Sequence, residues 1–149
     1  MRTDSPSWQR AKAQGDAAEL AVAEWFRQRG YHVFKAVGST EPDLFLHTSV
    51  EVKRDAAASR TGNLAIEVAY AGKPSGLETT KAVWWVTVTD DAAFVCKVAD
   101  LRRWLDSTSY PSRQCGDGER SLCVLIPLAD YAKQKFVHKL HLEGGADAA

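Results

Sequence analysis

The stretch DLFLHTSVEVKR, residues 43–54, constrains the fold more than any other part of this chain. Leu44 and Leu46 alternate with their neighbours before a polar break at Thr48 and Ser49, and Val50 and Val52 do so after it. A period of two belongs to a strand with one buried face. Two such runs around a short polar connection read as a hairpin. If the turn centres on Thr48, Asp43 stands opposite Lys53 and Phe45 opposite Glu51. Opposed residues project from the same side of a sheet, and so do residues two apart in one strand. Asp43, Glu51 and Lys53 then share one face, while Leu44, Leu46, Val50 and Val52 share the other. The apolar face has a clear reason to be buried. The polar face gathers two acids and a lysine, with opposed Cβ atoms about 5 Å apart and diagonal ones roughly 7 Å.

Around this hairpin the chain offers a helix first and more strands afterwards. Residues 11–28 are rich in Ala and predict a helix closed by Gly30. On a helical projection Ala18, Val22, Trp25 and Phe26 fall on one arc, with Glu19 at its border and Glu24 pointing away. Residues 31–37 predict a strand, followed by the loop GSTEP. NLAIEVAY, residues 63–70, predicts a strand with Leu64, Ile66, Val68 and Tyr70 on one face and Ala65, Glu67 and Ala69 on the other. A short helix is expected from Ser75, with Ser75 and Glu78 spaced as a capping box. Strands are expected at 83–89, 93–98 and 122–128, and an Asp100-capped helix at 100–107. Residues 109–121 read as a loop by composition, and 129–136 as a helical turn. Helix, strands, helix and strands again is an α/β (α+β) order, a central mixed sheet flanked by helices.

With 149 residues, 45% hydrophobic and 26% charged, one globular domain spanning 1–149 is expected, with residues 1–10 and 144–149 disordered. No apolar run is long enough to span a membrane, and the N-terminus has no apolar signal core. A cytoplasmic protein without a membrane partner is the expectation. Cys96 and Cys123 lie in apolar runs and read as core, whereas Cys115 sits in a polar loop; the spacing fits no zinc motif. The formal charge of +0 gives no general support for polyanion binding.

Two acids and a lysine on one face make a minimal kit for phosphodiester hydrolysis. A hard cation takes oxygen ligands from one or two carboxylates plus phosphate and keeps several waters. It acidifies a bound water and neutralises charge on phosphorus, and a lysine orients that water or stabilises developing charge. The competing reading is a solvated hairpin face carrying an exposed Asp–Lys pair.

Pro42-Asp43, a short gap and Glu51-Val52-Lys53 resemble the signature of the PD-(D/E)XK nuclease superfamily. The flanking strands and preceding helix are similar to its restriction-endonuclease-like αβββαβ core, over about residues 11–98. The resemblance implies that Asp43 and Glu51 ligate Mg²⁺ or Mn²⁺, that the Val52 carbonyl completes the site, and that Lys53 is the catalytic lysine. Some branches, the archaeal Holliday-junction resolvases among them, carry an acid on the first helix, a role that Glu19 matches by position. Glu67 joins the metal shell or positions water if its strand pairs beside the EVK strand; otherwise it is an edge-strand acid.

Lys73, Ser75 and Gly76 form a second candidate cluster. A helix starting at Ser75 would present free N–H groups to a DNA phosphate, Lys73 would add charge, and Gly76 would let a backbone approach. The Lys-Pro-Ser-Gly stretch resembles small phage-type members of the superfamily. An ordinary capped helix is the alternative. One of Trp84 and Trp85 is expected in the core, with the other free to stack on a base unless both are core. KQKFVHKLH, residues 133–141, can lie on a DNA backbone or be a solvated segment, and His138 and His141 lack an acid partner for a metal. The sequence reading is a Mg²⁺- or Mn²⁺-dependent deoxyribonuclease acting on DNA, with a homodimer left open because cutting both strands commonly takes two sites. Its rivals are a non-catalytic nucleic-acid-binding module of the same fold and a protein-interaction domain.

Overall fold

The structure is a computed structural model that describes residues 6–29, 31–35, 43–45 and 48–142. Pro42, Leu46, His47, Gly30, residues 1–5 of the segment 1–10 expected to be disordered, and all of 144–149 lie outside the described residues, whereas residues 6–10 are helical. Among those described, the chain is mixed α/β, with two sheets and four α-helices.

Helix α1 (Pro6–Arg27) begins five residues before the expected start at Ala11. Strands β1 (Phe34–Lys35) and β2 (Leu44–Phe45) are short, and β3 (Ser49–Arg54) is longer. After β3 come the single-turn helix α2 (Ala58–Thr61), β4 (Asn63–Tyr70) and β5 (Lys73–Pro74). Strands β6 (Trp84–Val88) and β7 (Ala92–Lys97) lead into α3 (Val98–Asp106). The chain continues through β8 (Ser112–Cys115), β9 (Ser121–Pro127), α4 (Leu128–Ala132) and β10 (His138–His141).

One sheet has the order β1-β2-β3-β6-β7-β10 and the other β5-β4-β9-β8. In the first, β1, β2 and β3 are antiparallel neighbours, β6 lies parallel to β3, and β7 and β10 follow antiparallel. A parallel return needs a long crossover. Residues 55–83 provide it by building part of the second sheet on the way.

Two cores follow from strand alternation. Ala18, Val22, Ala23 and Phe26 of α1 pack on Leu44, Val50, Val86, Val88, Ala93 and Val95, all buried. On the other face Trp85, Phe94 and Cys96 meet Leu64, Ile66 and Ile126 of the second sheet, with Leu101 of α3 and Tyr131 of α4. The order through the molecule is therefore helix, six-stranded sheet, then a layer of the second sheet with α3 and α4. The arc expected on α1 is the buried one, and Glu24 is exposed as its angle requires.

Several local expectations change. Residues 109–121 hold β8, whose Ser112–Cys115 pairs with Ser121–Val124 although its composition is that of a loop. The segment after Ser75 is a single 3-10 turn, Gly76–Glu78, in which Ser75 makes no side-chain cap. Helix α3 starts at Val98, so Asp100 falls within its first turn and pairs with Arg103 at 2.9 Å instead of capping. Part of the basic run 133–141 is β10, an edge strand of the larger sheet. His138 and His141 are three apart in it and so point to opposite faces. That removes the shared metal.

Candidate functional site

The hairpin register decides what stands near what. Leu44 pairs with Val50 and Phe45 with Ser49. Centring on Thr48 would have set Leu44 against Val52, so the observed pairing is shifted by two residues. A shift of two keeps every side chain on its expected face, whereas a shift of one would have exchanged the faces. Asp43, Glu51 and Lys53 still share a side. Extending the same register by one residue sets Asp43 against Glu51, carboxylate beside carboxylate, and not against Lys53 as expected.

Beyond the last β2–β3 pair, the Asp43 side chain continues the ladder: Val52 N–H donates to Asp43 Oδ2 at 2.8 Å. The N–H and C=O of one strand residue point to the same edge, so the Val52 carbonyl also turns toward Asp43. Its neighbours in register face the other way, since Val83 N donates to Ser49 O at 3.1 Å and Asp55 N to Val88 O at 2.8 Å on the β6 side. Glu51 is largely shielded, its side chain 22% exposed, and Lys53 is about half exposed at 48%. The Lys53 ammonium forms a close ion pair with Glu51 Oε1. On the same face Trp85 is the β6 neighbour of Glu51 and Thr87 that of Lys53. Trp85 Nε1 donates to Thr87 Oγ1 at 3.1 Å, so a buried indole stands beside the Glu51 position on the neighbouring strand.

Asp43, Glu51 and the Val52 carbonyl are all hard oxygen donors, the kind that Mg²⁺ or Mn²⁺ prefers. Two carboxylates are enough for an ion that keeps water and takes substrate oxygens. Among the described residues no group of three or more His, Cys, Asp or Glu converges as a full cage. No family model, curated protein or solved structure matches this chain.

Glu19 does not stand on this face. Lys35 pairs with Leu44, which pairs with Val50, and both aliphatic residues face α1. Lys35 meets Glu19 there at 2.8 Å, and Glu19 Oε2 is buried against it. The Glu19 carboxylate raises the Lys35 pKa, while Lys12 holds the Asp16 carboxyl below its ordinary range. The helix acid is thus engaged on the α1 side of the sheet, with Asp43 and Glu51 on the other.

Glu67 fails its condition too, because β4 belongs to the second sheet and β6, not β4, lies beside β3. Both Glu67 oxygens are taken: Ser75 Oγ donates to Oε1 at 2.7 Å and Ser121 Oγ to Oε2 at 2.6 Å. The Ser75 hydroxyl is thereby spent inside the protein, and the helix start expected to offer its N–H groups to a phosphate is a single 3-10 turn. Gly76 does permit a close approach, but to the Glu67 backbone: a Cβ there would lie 2.3 Å from Glu67 O. Lys73 is exposed on β5, an edge of the second sheet. A three-residue turn has no helix dipole to offer a phosphate.

Asp55 was not singled out by sequence reasoning. It follows β3 on the same face as Glu51 and Lys53. Its Oδ1 accepts from Ala57 N and Ala58 N, each at 3.1 Å, and its Oδ2 from Ala65 N at 2.8 Å. Asp55 thereby fastens the end of the site strand to β4. An Asp two residues before small residues signals a local turn, but nothing local shows the bond to Ala65.

Proposed function

We propose that this protein is a divalent-metal-dependent deoxyribonuclease with a restriction-endonuclease-like core. The reading is carried by one observation: Asp43 and Glu51 share a sheet face with Lys53, and Asp43 is fixed on the Val52 N–H. The strand order supports it as well, since a helix, three antiparallel neighbours and a parallel fourth strand are what the αβββαβ pattern asks for. The crossover departs from that pattern by carrying strands and single turns where the pattern has a full helix.

Asp43, Glu51 and the Val52 carbonyl would hold Mg²⁺ or Mn²⁺, which when bound supplies an acidified water and charge neutralisation at phosphorus. The Val52 N–H orients the Asp43 carboxylate. Lys53 now neutralises Glu51. With a cation held by Asp43 and Glu51, the Lys53 ammonium would be free to steady negative charge at the phosphate.

Incubation of plasmid, linear and branched DNA with Mg²⁺, Mn²⁺ or chelator tests this. Nicks should accumulate only with the divalent ions. Asp43→Asn, which keeps an acceptor for Val52 N–H, and Lys53→Ala should each slow cleavage at least about a hundredfold with unchanged thermal melting. Full activity in either variant would sink the assignment.

The engagement of Glu19 with Lys35 and of Glu67 with two serines favours a second reading, a nucleic-acid-binding module without catalysis. It expects binding that is indifferent to chelator and no nicked product.

A further inference from the structure

Two segments singled out in the sequence, the Trp84-Trp85 pair and the basic run at 133–141, take no part in the carboxylate face through Trp84 or His138. The fold brings both to one residue. The Trp84 ring lies 6.4 Å from that of Trp25, and the His138 ring lies 5.6 Å from it. Arg29 stacks its guanidinium 3.6 Å from the Trp25 ring centre while donating to the Trp25 carbonyl at 3.1 Å. Lys97 stands opposite Trp84 in the β6–β7 pair, its ammonium 5.7 Å from the ring centre. Both tryptophans are partly exposed, and Arg29, Lys97 and His138 are exposed. The nearby Glu24 is already engaged by Arg27 at 3.9 Å and Gln28 at 3.3 Å.

A chain of zero formal charge has no overall pull on a polyanion, so a local group of cations on aromatic rings is a distinct feature. Each cation rests near a π-surface that a base can also use. A ligand with an anionic group beside every flat ring can draw the cation to its phosphate and lay its base on the indole. Single-stranded nucleic acid has that repeat. In a duplex the base faces are stacked inside, and an acidic peptide has no ring at each charge.

We propose that Trp25, Trp84, Arg29, Lys97 and His138 form a contact surface for single-stranded nucleic acid, on the opposite face of the six-stranded sheet from Asp43, Glu51 and Lys53. The surface stands whether or not the chain hydrolyses DNA.

The test uses the full chain in chelator at low salt, with anisotropy of a labelled oligothymidylate of about twenty nucleotides, longer than the span of one such surface. Binding should weaken about tenfold on Lys97→Glu and severalfold on Trp84→Phe, with thermal melting reported for each. Arg113→Glu makes the same charge change on β8 of the second sheet and should alter binding less than about twofold. Lys97→Gln, a milder variant, should lower the slope of log affinity against log salt by about 0.7, one phosphate contact on a single strand. No binding, or equal weakening by Lys97→Glu and Arg113→Glu, overturns the proposal. So does displacement by duplex or polyglutamate as readily as by unlabelled single strand. Binding as expected from a wild-type chain that cuts no DNA with Mg²⁺ supports this surface and refutes the nuclease reading alone.

Discussion

Gly76 sits with φ at +55°, and an added Cβ would meet Glu67 O at 2.3 Å and Glu67 C at 2.9 Å. Backbone cannot yield as a flexible side chain can. Gly76→Ala combines left-handed strain with overpacking and should cost about 2–3 kcal/mol, read from urea unfolding midpoints. A cost below about 0.5 kcal/mol would show that the Gly76 turn moves freely off β4. Asp55 belongs to the same scale, because one carboxylate satisfies three backbone N–H groups. Asp55→Ala leaves all three without that partner and should destabilise by about 2–3 kcal/mol. Asp55→Asn keeps one acceptor oxygen and should recover part of the loss. If the two variants unfold alike at wild-type denaturant, Asp55 does not hold β3 to β4.

At the scale of elements, α1 and α3 are both amphipathic but use the property differently. Helix α3 buries Leu101 completely between the sheets, whereas α1 leaves Leu20 65% exposed beside its buried arc. Leu101→Ala should therefore cost about 2–5 kcal/mol and Leu20→Ala less than about 0.5 kcal/mol in the same denaturation assay. A large loss at Leu20 would mean that its face is covered in solution. The elements with strong periodicity were the legible ones: Asn63–Tyr70 is a strand over its full expected length. Strand β8 was not legible, because Ser112–Cys115 has almost no apolar residue and is extended only by its pairing with β9. The helix expected at Ser75 failed for a related reason. The Ser75 hydroxyl donates to Glu67, eight residues away on a neighbouring strand, and accepts no capping N–H, so only a 3-10 turn forms.

Across the whole molecule, burial sets an acid–base signature. Burial pushes the Cys96 thiol up to about 12, and burial with Cys115 nearby pushes Cys123 up to about 12. Tyr131, buried against Cys96, is raised in the same direction. The unfolded chain would release its thiol protons near the ordinary value of 9.0, so between there and about 12 it binds fewer protons than the native state. Stability must then fall as pH rises through that window, with no such contribution below it. Urea unfolding at a series of alkaline pH values checks the slope, and Cys96→Ala should flatten it. The three thiols are all free, and the partly exposed Cys115 should be the one to react with a thiol reagent in the native protein. Rapid native labelling of all three would contradict the burial.

What this sequence determined alone was which residues share a face. Alternation in β3 and the arc on α1 follow from backbone geometry, so Asp43, Glu51 and Lys53 stayed together even when the hairpin register moved by two; in β4 a bulge between Glu67 and Ala69 puts those two on opposite faces, against the expected alternation. Tertiary structure decided which faces meet. It paired Glu51 rather than Lys53 with the Asp43 position, sent Glu67 into a second sheet, turned Glu19 to Lys35 on the α1 side, and gathered Trp25, Trp84 and His138. Periodicity is a property of neighbours along the chain, whereas the order of strands and the choice of partner for each carboxylate depend on residues far apart in sequence.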